Sequence, residues 1–197
     1  MFDKFVLRAI ARGDPDFPEV DCATTQQMLI RFNDEVGNLI QQHGTDKIGN
    51  AIWFLYGCDG DVARDALDVS VASGFEEFYQ SLETLYAKGF AKHCSRTSKN
   101  GCMLNSACYM LWDMDSGLSH LSFNGRPELF TLVEKLIDFG LKHEHPAVQR
   151  SFLHCLAHQH YVIPDFVQKK VDVYLGRKDI NSELLKYAEL ARIGNVL

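Results

Sequence analysis

The chain lacks any uncharged apolar run near the ~20 residues that a bilayer-spanning helix needs, so no transmembrane anchor is expected. Its first twelve residues carry Asp3, Lys4, Arg8 and Arg12, which break up the apolar stretch of a secretory signal. Basic charge is also scarce. Against 26 Asp and Glu the 197 residues hold 20 Lys and Arg, a net charge of −6. This balance disfavours a dedicated nucleic-acid binder or a polybasic membrane anchor and favours a basic partner. Low-complexity tracts are missing, and 13 Phe, 7 Tyr and 2 Trp exclude a disordered tail or a coiled-coil rod.

Motifs of catalysis are missing too. There is no Gly-x-x-x-x-Gly-Lys phosphate loop, no Gly-x-Gly-x-x-Gly, no Gly-x-Ser-x-Gly elbow and no Glu-x-x-His pair of the di-iron bundles. No cofactor is expected. The six cysteines show no finger-like spacing, and Cys58, Cys108 and Cys155 fall in apolar helical patterns. They read as reduced thiols of a cytoplasmic protein.

What is present is helical periodicity. Apolar residues recur at intervals of three and four almost everywhere, and strict alternation is rare, so the chain reads as all-α. About ten helices are expected, over 2–12, 24–43, 45–57, 61–70, 74–92, 102–113, 127–142, 146–159, 164–175 and 181–193. Pro127, Pro146 and Pro164 each suit a first helical turn, where a missing N–H costs nothing. Thr45 and Ser73 are expected caps, the latter paired with Glu76 in a capping box. The length suits one domain, 1–197, irregular over residues 1–98 and more repeat-like over residues 99–197.

Four of these helices share an apolar frame at offsets 0, 3, 4 and 7. They are Ile48, Ala51, Ile52, Leu55; Leu104, Ala107, Cys108, Leu111; Val148, Ser151, Phe152, Cys155; and Leu184, Tyr187, Ala188, Ala191. The segment His145-Pro-Ala-Val-Gln-Arg-Ser-Phe-Leu-His-Cys-Leu-Ala then resembles the second helix of a HEAT repeat. The resemblance implies an α-solenoid of stacked hairpins that binds partners along a curved face; the alternative architecture is a compact orthogonal helical bundle.

Offset 5 of the frame holds Trp53, Tyr109 and Leu153, roughly 140° from the core stripe. Trp53 and Tyr109 are therefore candidate anchors for a protein partner, since aromatic residues bury much area at little rotamer cost. An acidic cluster, Asp59, Asp61, Asp65, Asp68, Glu76 and Glu77, is the candidate steering surface. Together they suggest a non-enzymatic protein-binding repeat, and at the narrowest an inhibitor or immunity protein against a basic toxin.

Two alternatives stand beside it. The basic run Lys88, Lys92, Arg96 and Lys99 could hold nucleic-acid phosphates in a binding or repair protein. His154 and His158, spaced i and i+4, would share one side of a helix, as metal ligands do, and so could serve a metal-dependent enzyme. His143, His145 or His160 would supply a third ligand, and Glu144 or Asp165 the neighbouring carboxylate of such an enzyme. Acidic turns follow two framed helices, Cys58-Asp59-Gly60-Asp61 and Asp113-Met114-Asp115-Ser116-Gly117, and neither completes a calcium loop.

Overall fold

The apolar spacing closes into helices. The computed structural model describes residues 1–12, 20–57, 62–67, 74–97, 101–114 and 127–196, among which there are ten helices and no strand. They are α1 (Phe2–Ala11), α2 (Cys22–His43), α3 (Thr45–Tyr56), α4 (Val62–Ala66), α5 (Phe75–Thr84), α6 (Met103–Met110), α7 (Pro127–Lys142), α8 (Pro146–Gln159), α9 (Pro164–Leu175) and α10 (Ser182–Ala191). α5 runs on through a π-helical stretch (Leu85–Phe90) and a last turn (Ala91–His93).

The proline-led helices α7, α8 and α9 have the expected bounds, because a first-turn proline fixes φ without losing an internal bond. α2 starts on Asp21, whose Oδ1 accepts from Thr24 N at 2.9 Å. α8 and α10 start on His145 and Asn181, whose side chains accept from Ala147 N and Glu183 N. The expected Thr45 cap is absent. Gly44, at φ +89°, is both the last cap of α2 and the first of α3, so the corner leaves no separate capping residue. Ser73 lies outside the described residues.

Packing follows chain order. α2 lies against α3, the π stretch against α6, α7 against α8, and α9 against α10. The first helices of these pairs also touch in series, α2 on α5 and α5 on α7. So do the second helices, α3 on α6, α6 on α8 and α8 on α10. This second file is the set of framed helices, and all sixteen frame residues are buried. A fully buried Leu, Ile or Phe contributes ~1.5–3 kcal/mol of transfer free energy, so the frame is the main apolar seam.

Two glycines set how closely neighbouring helices approach, one within the framed file and one between the files. A Cβ on Gly49 would stand 2.5 Å from Leu104 N, so α3 crosses α6 nearly backbone to backbone. A Cβ on Gly140 would stand 1.9 Å from the Phe152 ring, which lies against the α7 backbone.

Polar pins run through the core. Asn33 Nδ2 donates to Tyr56 Oη at 2.8 Å and approaches Ser81 Oγ at 3.0 Å, while the Tyr56 hydroxyl donates back to Asn33 Oδ1 at 2.9 Å. Burial pushes the Tyr56 phenol far up, so it stays a donor. The π stretch places the Tyr86 hydroxyl 2.8 Å from Ser151 Oγ, and Trp112 Nε1 donates to it at 2.9 Å. The five described cysteines are free thiols.

Candidate functional site

Beside the apolar seam, α6, α8 and α10 share a polar one. Arg150, His154 and His158 recur every fourth residue along α8, so they form a ladder on one side of that helix. Tyr109 on α6 and Tyr187 on α10 close over it. Their hydroxyls are 3.0 Å apart, and the Arg150 guanidinium lies 5.6 and 4.7 Å from their ring centroids.

His154 sits in the middle of this ladder and is buried. Its ring packs tilted, at 36°, against Tyr109 with centroids 4.2 Å apart and meets His158 edge-on at 4.5 Å. Its Nδ1 lies 2.8 Å from the Tyr187 hydroxyl. The other nitrogen, Nε2, is buried and has no hydrogen-bond partner among the described residues. It faces Asp113 in the turn after α6, with Oδ2 at 3.8 Å. The second Asp113 oxygen lies 3.4 Å from His158 Nδ1. One donor atom from each of Asp113, His154 and His158 fits within 4.8 Å of the other two.

The electrostatics keep His154 neutral. Burial lowers its pKa to about 4, and His158 and Arg150 push the same way; Asp113 opposes them without prevailing. A neutral imidazole carries one lone pair, the form that serves as a ligand or a base.

A groove of about 1230 Å³ is lined in part by Tyr109 and Arg150. Its walls come from the beginnings of the framed helices: Asp46 and Asn50 of α3, Met103 and Ser106 of α6, Pro146 and Arg150 of α8, and Asn181, Glu183 and Leu184 at α10. Asp46 Oδ1 accepts from Met103 N at 3.1 Å, which ties two of these helix starts together. Arg96 reaches in from the segment after α5, and its Nη2 donates to Glu144 O at 3.3 Å. Asp46 and Glu183 share the lining with Arg96 and Arg150 and with apolar Met103, Ala147 and Leu184, so the groove can take side chains of both signs and an apolar residue.

The sequence candidates are distributed as follows. Tyr109 lines the groove and braces His154. Trp53 does not line it; the ring is half-buried against the core and its Nε1 is shut away from solvent. Leu153, at the third offset-5 position, is fully buried. Glu76 and Glu77 are exposed in the first turn of α5. From there to Ser95 at the groove the helical path rises about 27 Å at ~1.5 Å per residue, so these carboxylates stand far from it. Asp65 lies in α4. Asp59, Asp61 and Asp68 lie outside the described residues, as does Lys99. Lys88, Lys92 and Arg96 are exposed.

The structure brings His154 and His158 together, as their spacing implies. None of the expected third ligands joins them in the triad. His143 and His145 are at the start of α8, with His145 about 13 Å along the axis from His154 at ~1.5 Å per residue. Asp113 takes that place. It belongs to an acidic turn visible in the sequence, but no local spacing links it to α8; only the packing of α6 on α8 does.

Comparison with protein-family models, with curated proteins and with solved structures finds no match to this chain.

Proposed function

We propose that the protein is a non-enzymatic helical scaffold that binds another protein, gripping a segment of it in the groove where the framed helices begin. That groove is the observation that carries the reading. Its volume suits several side chains of an extended segment, and Tyr109 supplies an aromatic wall held in place by Tyr187 and Arg150. The finer architecture belongs to the same reading. Hairpins α2/α3, α5/α6, α7/α8 and α9/α10, with the framed helices α3, α6, α8 and α10 touching in series, support a HEAT-like solenoid over an orthogonal bundle.

The net charge of −6 favours a basic partner, drawn in by Asp59, Asp61, Asp65, Asp68, Glu76 and Glu77. The narrowest form of this role is an inhibitor or immunity protein acting on a basic toxin. Trp53 stays outside the grip in this form, because its indole N–H faces inward.

The test is to capture the partner from the native host with the full chain and measure its binding kinetics. Ser106→Trp, which fills the groove, should speed dissociation at least about tenfold. Glu76→Lys with Glu77→Lys should slow association and flatten its dependence on salt. Unchanged dissociation with Ser106→Trp would overturn the groove as the binding surface. Association that does not vary with ionic strength would overturn the steering.

A further inference from the structure

His154 holds a buried nitrogen without a hydrogen bond, and metal donors surround it. Were Nε2 protonated toward Asp113, the bond would have to span 3.8 Å, beyond hydrogen-bond length. An ion between them would satisfy both atoms. We propose that Nε2 of His154, Nδ1 of His158 and a carboxylate oxygen of Asp113 bind one divalent transition ion of the borderline class that Zn²⁺ represents, with at least one coordination position left open.

The distances suit that shell. Metal–nitrogen and metal–oxygen bonds of ~2.0–2.2 Å at tetrahedral angles put neighbouring donors roughly 3.3–3.5 Å apart. The observed separations are 3.4 Å from His158 Nδ1 to Asp113 Oδ1 and 3.8 Å from His154 Nε2 to Asp113 Oδ2, and one donor atom of each residue lies within 4.8 Å of the other two, so the donors close on an ion by side-chain shifts of up to about an ångström.

The donor set selects the ion class. Two imidazoles and one carboxylate suit zinc, cobalt, nickel or iron, whereas calcium and magnesium want six or more oxygens. The support around the ligands is also of the metal-site kind. With Nε2 on the ion, Nδ1 carries the proton and donates to Tyr187, which fixes the tautomer; the Tyr109 ring fixes the plane. His158 and Asp113 are exposed, which leaves an entry path and an open face. None of the three ligands lines the groove, so this proposal stands whether or not the groove binds a protein.

The test uses the full chain, stripped with chelator, with Co²⁺ as a visible probe and Zn²⁺ as the competitor. One Co²⁺ per chain should give ligand-field bands of a low-coordinate site, without thiolate-to-cobalt charge transfer, and equimolar Zn²⁺ should remove them. His158→Gln and Asp113→Asn alter exposed ligands and should leave the metal-free melting temperature unchanged. Each should weaken Co²⁺ at least about 100-fold, more than loss of an outer-shell partner does. His43→Gln, remote from the site, should bind as the wild type does. Absence of saturable bands would overturn the proposal. So would bands with thiolate character, or affinity unaffected by His158→Gln or Asp113→Asn.

Discussion

The Tyr187 hydroxyl stands 2.8 Å from Nδ1 of His154, which commits that nitrogen to a hydrogen bond and turns Nε2 toward Asp113. The same hydroxyl is 3.0 Å from that of Tyr109, so one oxygen links α6, α8 and α10. Tyr187→Phe should lower stability by ~1–3 kcal/mol, the usual cost of leaving a buried polar partner unpaired. Urea unfolding measures this, and an unchanged midpoint would mean that the link carries no stability. In Co²⁺ titration the same variant should bind about tenfold more weakly, as loss of an outer-shell partner predicts.

Gly140 leaves room for the Phe152 ring of α8 against the α7 backbone. Gly140→Ala should destabilise the protein by ~3 kcal/mol, the upper end for overpacking, because a Cβ there would meet the buried ring at 1.9 Å. Adding Phe152→Leu should recover some of the loss by removing the ring. If the double variant is no more stable than Gly140→Ala in thermal melts, the ring is not the obstacle.

Asn33 serves Tyr56 and Ser81 at once, from a site with no exposure to water. Asn33→Ala should cost ~2–3 kcal/mol, since it leaves the Tyr56 hydroxyl without its acceptor in a low-dielectric interior. Ser81 retains its bond to Phe78 O and should matter less; Ser81→Ala is expected to cost about 1 kcal/mol or less. Equal effects from the two variants in denaturant titration would contradict this division.

Acid should weaken the turn into α8. His143 Nδ1 accepts from His145 N at 3.0 Å, and His145 Nδ1 accepts from Ala147 N at 3.3 Å, so both rings must be neutral there. Burial lowers both pKa values; Glu144 opposes it at His143, while Arg96 and His143 reinforce it at His145 and the nearby Cys94 backbone opposes it. Below the ordinary histidine pKa of about 6.5 the unfolded chain takes up protons that the folded chain refuses. The stabilisation is therefore full above that pH and is lost as pH falls toward the lowered folded values. Replacing both histidines with Asn keeps an acceptor but removes the titration. Melting temperature against pH should then fall less steeply, and an identical slope would refute the assignment.

Much of the fold was legible because its signals are local. Pro127, Pro146 and Pro164 mark helix starts by their own fixed φ, and a 0, 3, 4, 7 frame marks a buried stripe within one helix. Thr45 failed as a cap because a neighbouring glycine at positive φ turned the chain one residue earlier. Trp53 and Leu153 share an offset with Tyr109, yet that offset meets different neighbours on α3, α6 and α8, so only one of the three faces the groove.

The amino-acid sequence by itself determined the helices, their buried stripes and the His154–His158 pair, since each depends on spacing along a single rod. Tertiary structure alone decided that Asp113 is the third member of the cluster, that Tyr187 holds His154 from a helix 33 residues further on, and that four helix starts enclose one groove. Those juxtapositions depend on how far one helix slides along the next. That slide is set by bulk at the contacts, such as the missing side chains of Gly49 and Gly140, and no periodicity within a helix encodes it.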